Sequence, residues 1–229
     1  FGTSNGMAKL IPEPESASAA PLIVITGLRV SGDARLVSAL GEREILLTAQ
    51  LQHPNIIIIH DRGEYEGKPY FVMEYLDGID LSAVIQDRTL RSYEQRVEIS
   101  VDICEALAYA HAQGVVHRDV KPTNIMIVSR AGGDQVKLLD FGIAHVAHAD
   151  HTTTLIQPGT AQYMSPEQLR DEAVDTRSDL FSLGIVLYEL FTGVHPFASK
   201  SSHMVMSRIL NEEASSPRSV DPLIPGPLE

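Results

Sequence analysis

Four side chains have types and spacing that could do chemistry: Asp119, Lys121 and Asn124 in His117-Arg118-Asp119-Val120-Lys121-Pro122-Thr123-Asn124, and Asp140 in Asp140-Phe141-Gly142. Moving a γ-phosphoryl group needs metal ions to neutralise its oxygens, a carboxylate to orient the attacking hydroxyl, and a cation to offset transition-state charge. Two carboxylates, an amide and an ammonium supply such a set. Any one of these short strings alone is often just a turn between strand and helix. Here they are followed in order, at compatible spacings, by Gly159-Thr160 and Ser165-Pro166-Glu167.

The elements that must position them can be read from periodicity and breakers. Apolar runs at 7–11 and 22–26, separated by Pro12, Pro14, Ser16, Ser18 and Pro21, predict two strands joined by a loose loop. Leu36, Leu40, Leu47 and Leu51 predict a helix over 34–51 that carries Glu44 and is closed by His53-Pro54. Residues 56–59 and 70–74 read as an antiparallel pair around Glu66-Gly67-Lys68-Pro69, and Asp77-Gly78 as a hinge. Ser92 with Gln95 forms a capping box before Val97, Val101, Cys104 and Leu107, and Gly114 ends that helix. Short apolar strands at 125–128 and 136–139 leave the chemical residues on loops at strand ends. A helix over 176–192 is apolar nearly all round and should be buried, with Gly193 and Pro196 stopping it. A last helix over 204–210 leads into the tail Pro222-Leu223-Ile224-Pro225-Gly226-Pro227.

The strings at 117–126 and 159–168, with Asp140-Phe141-Gly142 between them, resemble the catalytic loop and activation segment of a eukaryotic-type serine/threonine protein kinase of the bacterial kind. The resemblance covers essentially all of the chain. It implies an α+β, two-lobed fold in one domain: a small β-rich N-lobe over 1–76 and a mainly helical C-lobe over 77–229, with the family's C-terminal helices cut short. It implies ATP and magnesium as cofactors and a protein hydroxyl as acceptor. Asp119 would be the catalytic base, Lys121 would contact the transferred phosphate, and Asn124 and Asp140 would hold magnesium. Met73 resembles the gatekeeper, the backbone of Glu74 and Leu76 the adenine-binding hinge, and Leu10, Val24 and Met126 the apolar walls, with Tyr75 at the rim. Asp179 matches a buried helix aspartate that holds the catalytic-loop backbone, the plainer reading being an exposed first-turn carboxylate favoured by the helix dipole. Thr160 matches a threonine that hydrogen-bonds the base.

The nucleotide end departs from the family. Gly2 and Gly6 are what remains of a glycine-rich loop, and aligning on Glu44 puts Thr26 where the family keeps a lysine. Threonine has no cation for the phosphates and none to pair with Glu44. Lys9, on the preceding strand, points away from the cleft by strand alternation unless the loop shifts its register. The alternative is therefore a pseudokinase that binds nucleotide or serves as a scaffold. A small-molecule phosphotransferase is disfavoured, because Arg118, the activation segment and Ser165-Pro166-Glu167 serve protein substrates in the family. Thr152, Thr153 and Thr154 resemble activation-segment phosphosites, with Arg118 placed to pair with the phosphate. Ordinary loop threonines are the competing reading. His145, His148 and His151 lie in the same loop and do not read as a metal site. With the tail cut short, Glu167 is expected to lack its arginine partner.

A chain of 229 residues, 44% hydrophobic and 21% charged, can bury a sizeable core. A net charge of −12 argues against nucleic acid as the main partner. The single cysteine, Cys104, supports neither a disulfide framework nor a zinc site and fits a reducing, cytoplasmic setting. The apolar stretch 180–191 is too short to span a bilayer, which leaves an anchor outside this chain open.

Overall fold

The computed structural model describes residues 8–9, 23–26, 50–65, 68–87, 92–130, 133–141 and 160–226. The expected helix over 34–49, Gly2, Gly6, Leu10, Glu44, Gly142, the three histidines 145, 148 and 151, Thr152, Thr153, Thr154 and Gly159 lie outside the described residues.

Two antiparallel sheets divide the fold. The first joins β1 (Ala8–Lys9), β2 (Ile23–Thr26), β3 (Ile59–Tyr65) and β4 (Lys68–Met73) in the order β1-β2-β4-β3. The second joins β5 (Ile79–Asp80), β6 (Ile125–Arg130) and β7 (Gly133–Leu138) in sequence order. Helices α1 (Leu81–Gln86), α2 (Tyr93–Ala112), α3 (Pro166–Leu169), α4 (Thr176–Thr192), α5 (Ser202–Asn211) and α6 (Pro217–Val220) complete the α+β architecture: a small β-rich lobe and a mainly helical one.

The expected hairpin forms, but its first strand begins where the apolar run ends. Ile56 and Ile57 are buried and dock on β7, with Ile57 N–H donating to Leu138 O at 3.0 Å and Leu138 N–H to Asn55 O at 2.8 Å. That parallel bridge ties the segment leading into β3 to the second sheet. β3 then runs through His60, Asp61 and Arg62 as an edge strand, where polar residues are well placed.

The cap signals hold. Ser92 and Gln95 form the capping box of α2, and Gly114, at φ 75°, follows its last turn. The buried stripe of α2 is Arg96, Ile99, Ile103, Ala106, Leu107 and Ala110, so Val101, half exposed, and Cys104 fall outside the face the sequence assigned them. α4 spans the expected residues and ends on Gly193 at φ 74°. It is not buried all round: Leu180 is 56% exposed, because the inward stripe is Asp179, Leu183, Val186 and Leu190. The segment read as a tail is docked, with α6 packed on α4 and Ile224 only 2% exposed. At the expected hinge, a Cβ on Gly78 would lie 2.4 Å from Ile127 O, so only glycine lets the chain enter β5 this close to β6.

Candidate active site

The catalytic-looking loop hangs between α2 and a single turn, Pro122–Asn124, that feeds β6. Proline at the first position of that turn carries no N–H to leave unpaired, and Asn124 N–H closes it on Lys121 O at 3.0 Å. Three of the four chemical residues meet at one carboxylate oxygen. Asp119 Oδ2 accepts from Lys121 Nζ at 2.7 Å and from Asn124 Nδ2 at 3.0 Å, and Asn124 Nδ2 also reaches Asp119 O at 2.9 Å. Asn124 spends its amide nitrogen inward and keeps its oxygen, the only atom an asparagine can offer a cation.

Asp140 follows β7. Leu139 N–H donates to Asn124 O at 2.8 Å, which brings the aspartate beside the loop. It keeps solvent on one side while protein crowds the others. Burial raises its carboxyl above the ordinary range, and the charge of Asp119 raises it further against the opposing pull of His117 and Lys121. Backbone strain accompanies the site. Asp140 and Arg118 hold φ of 49° and 65°, a region that costs a side chain about 1–3 kcal/mol and persists only where the surroundings impose it.

The surroundings that impose it are visible. Asp179, in the first turn of α4 and 1% exposed, accepts Arg118 N–H on Oδ1 at 2.7 Å and both His117 N–H and His111 Nε2 on Oδ2 at 2.7 Å each. The exposed-carboxylate reading fails there. His117 is fully buried: its Nδ1 accepts Asp119 N–H at 3.3 Å, its Nε2–H donates to Leu139 O at 2.8 Å, and its ring lies 4.5 Å from that of Phe141. Burial lowers its pKa more than the Asp179, Asp119 and Asp140 charges and the Leu139 bond raise it, so the ring stays neutral in the tautomer those bonds require. Gln168, from the capping box of α3, donates to Arg118 O at 2.7 Å.

Glu167 is not left alone. Ser178 Oγ donates to it, and this bond, with those from its own N–H and Ser165, outweighs the upward push of burial and holds the carboxyl below the usual range. Among the described residues its side-chain hydrogen-bond partner is thus the hydroxyl of Ser178.

Residues 30–223 match the family model described as protein kinase domain. The chain belongs to the protein kinase family. It is 44% identical over 182 residues to serine/threonine-protein kinase PknB of Mycobacterium leprae, covering 76% of this chain and 29% of that protein. A probable PknB of Bifidobacterium longum is 41% identical over 196 residues, covering 80% of this chain and 28% of its own length. The chain thus spans less than a third of these relatives. The crystal structure of the Mycobacterium tuberculosis PknI kinase domain superposes with a TM-score of 0.70 at 26% identity, covering 97% of this chain and 79% of that one.

In kinase terms, Met73 is 7% exposed and packs with Ile57, Ile59, Leu76 and Leu139, one residue before Asp140. Glu74 N–H donates to Ile58 O at 3.0 Å, Tyr75 is 46% exposed, and Met126 lies opposite Asp80 in the second sheet. On β2, Ile23 pairs with Met73 and Thr26 with Tyr70, while Lys9 pairs with Val24. The two-residue repeat of a strand therefore puts positions 23 and 25 on the sheet face of Met73, and positions 24, 26 and 9 on the other. The kinase-family match begins after this strand, at residue 30.

Four residues of the site were not singled out from the sequence: His111, His117, Lys137 and Gln168. His117 sat inside a quoted motif without a role. Lys137 carried a faint signal, a lone cation between Val136 and Leu138 in an apolar strand.

Proposed function

We propose that this kinase domain transfers the γ-phosphoryl group of ATP to serine or threonine hydroxyls of a protein. The observation that carries the reading is the convergence of Lys121 and Asn124 on Asp119 Oδ2, beside Asp140. With Oδ2 occupied, Asp119 has Oδ1 to orient an incoming hydroxyl and take its proton. Lys121, 2.7 Å from Asp119, is placed to offset charge on the transferred group. Magnesium fits the remaining donors: Asn124 has a spare amide oxygen and Asp140 a carboxylate that burial and Asp119 leave short of positive charge, an all-oxygen set suited to a hard cation. When bound, the metal neutralises phosphate oxygens. Met73, Glu74, Leu76 and Met126 would frame the adenine, and the family resemblance adds Leu10, Gly2 and Gly6. We place no nucleic acid among the partners. Among the described residues no helix is long and apolar enough to cross a membrane.

Incubation with magnesium, ATP and a generic protein substrate, read by mass spectrometry, tests the proposal. Phosphoserine or phosphothreonine should form, and Asp119→Asn should slow its formation by roughly 100-fold, the usual worth of a general base. A parent that transfers nothing, or a variant as fast as the parent, would sink it.

The same incubation bears on regulation. Phosphate is expected on Thr152, Thr153 or Thr154, and replacing all three with alanine should lower activity, since a phosphate brings about −1.5 to −2 charges for an arginine such as Arg118 to bind. Unmodified threonines together with an unaffected triple variant would refute the switch.

The strand without lysine yields a sharper test of the kinase reading against the pseudokinase alternative. By the register of β2, a cation at position 25 falls on the face of Met73, and one at position 26 does not. Ile25→Lys should therefore raise transfer by about tenfold or more, while Thr26→Lys and Lys9→Ala change little. Loss of activity in Lys9→Ala would instead assign the phosphate contact to Lys9.

A further inference from the structure

Lys137, on β7, is a buried lysine, 3% exposed. Its Nζ lies 2.6 Å from Glu74 Oε1 and 3.2 Å from Ile56 O. The same Glu74 oxygen accepts Ile58 N–H at 2.9 Å, and Glu74 N–H returns to Ile58 O. Three segments distant in sequence thus meet at one carboxylate. As a source of stability such a pair is weak, because desolvating two charges costs about as much as their attraction returns, and apolar residues of similar size often do better. What a buried pair supplies well is a fixed geometry, since each charge has one place to go. The two ends it fixes are functional. Glu74 opens the segment 74–76 that would receive adenine, and Lys137 stands three residues before Asp140, which would hold the metal on the phosphates.

We propose that Lys137 and Glu74 form a positioning clamp that sets the adenine-binding segment at a fixed distance from Asp140, so that base and phosphates of one nucleotide are held together. The inference rests on the kinase reading above. Lys137 touches no nucleotide and acts through Glu74 and the strand.

Three variants of the full chain test it: Lys137→Met, Glu74→Gln and the double. KM for ATP should rise roughly tenfold in each single variant, the scale of loss from a small misplacement, with KM for the protein substrate unchanged. The double variant should be no worse than the worse single one, as expected of residues acting as a unit. A purely structural pair would lower the thermal midpoint and leave KM for ATP untouched, which overturns the clamp, as would additive losses. Glu74→Gln keeps an oxygen for Ile58 N–H, so it decides the matter even if Lys137→Met fails to fold. ADP affinity by calorimetry separates the two readings. A parent that binds ADP without transferring phosphate defeats the kinase assignment, and the tenfold loss in the variants then still judges the clamp. A parent that binds no nucleotide defeats both.

Discussion

Asp140→Asn is expected to lower phosphoryl transfer by about 1000-fold, at the upper end of what one preorganised electrostatic group supplies, while raising the stability of the folded chain. The two effects have one cause. Burial and the neighbouring Asp119 raise the Asp140 carboxyl above its ordinary range, so the ionised form needed to hold a cation is disfavoured until a cation binds. A carboxyl with a raised folded pKa contributes stability while protonated, below about pH 4, and loses it as pH climbs through the raised value. Asparagine cannot ionise and escapes that loss. Thermal melts should therefore place the variant above the parent at pH 7, with the gap closing as pH falls towards about 4. Magnesium with nucleotide should raise the parent's midpoint more than the variant's, because a ligand stabilises the state that binds it. A variant less stable than the parent at pH 7, or equally responsive to magnesium, would show that Asp140 is neither strained by its charge nor part of the metal site.

The chemical residues were legible because phosphoryl transfer demands particular atoms at short, fixed separations along one loop, and Asp119, Lys121 and Asn124 lie within that reach of one another. Element boundaries were legible where a single residue decides them, as at Ser92, Gly114 and Gly193. What escaped depends on partners remote in sequence. His111 and Lys137 look like ordinary polar residues until Asp179 and Glu74 arrive from 68 and 63 residues away. Orientation within an element was misread for the same reason. Leu180 and Val101 satisfy an apolar repeat, yet packing chose the neighbouring stripes. The run of β3 beyond Ile59 was missed because an edge strand does not need the apolar alternation that marks a central one.

Asp179→Asn should be the most damaging single change to stability. The carboxylate sits 1% exposed and accepts from three donors: two backbone N–H groups of the catalytic loop and the ring of His111. An asparagine of the same shape has one acceptor oxygen, and its NH₂ must face a donor wherever it turns. At least one buried N–H then loses its partner, and a charge-assisted bond becomes a clash of like dipoles. Removing one member of a buried charged network costs about 3–5 kcal/mol. In a domain of this length, where about 1 kcal/mol shifts the midpoint by 2–4 °C, the thermal transition should fall by roughly 6–20 °C. Activity should fall as well, even far below the melt. Arg118 adopts φ 65° while its N–H is held by Asp179 and its carbonyl by Gln168, and loosening either anchor lets the strained residue relax and carry Asp119 with it. Leu180→Ala on the next residue of α4 is the control, since a side chain 56% exposed should contribute within about 0.5 kcal/mol. Matching melts and matching turnover for the two variants would mean that the loop holds its shape without Asp179, and that the strain at Arg118 is supported from elsewhere.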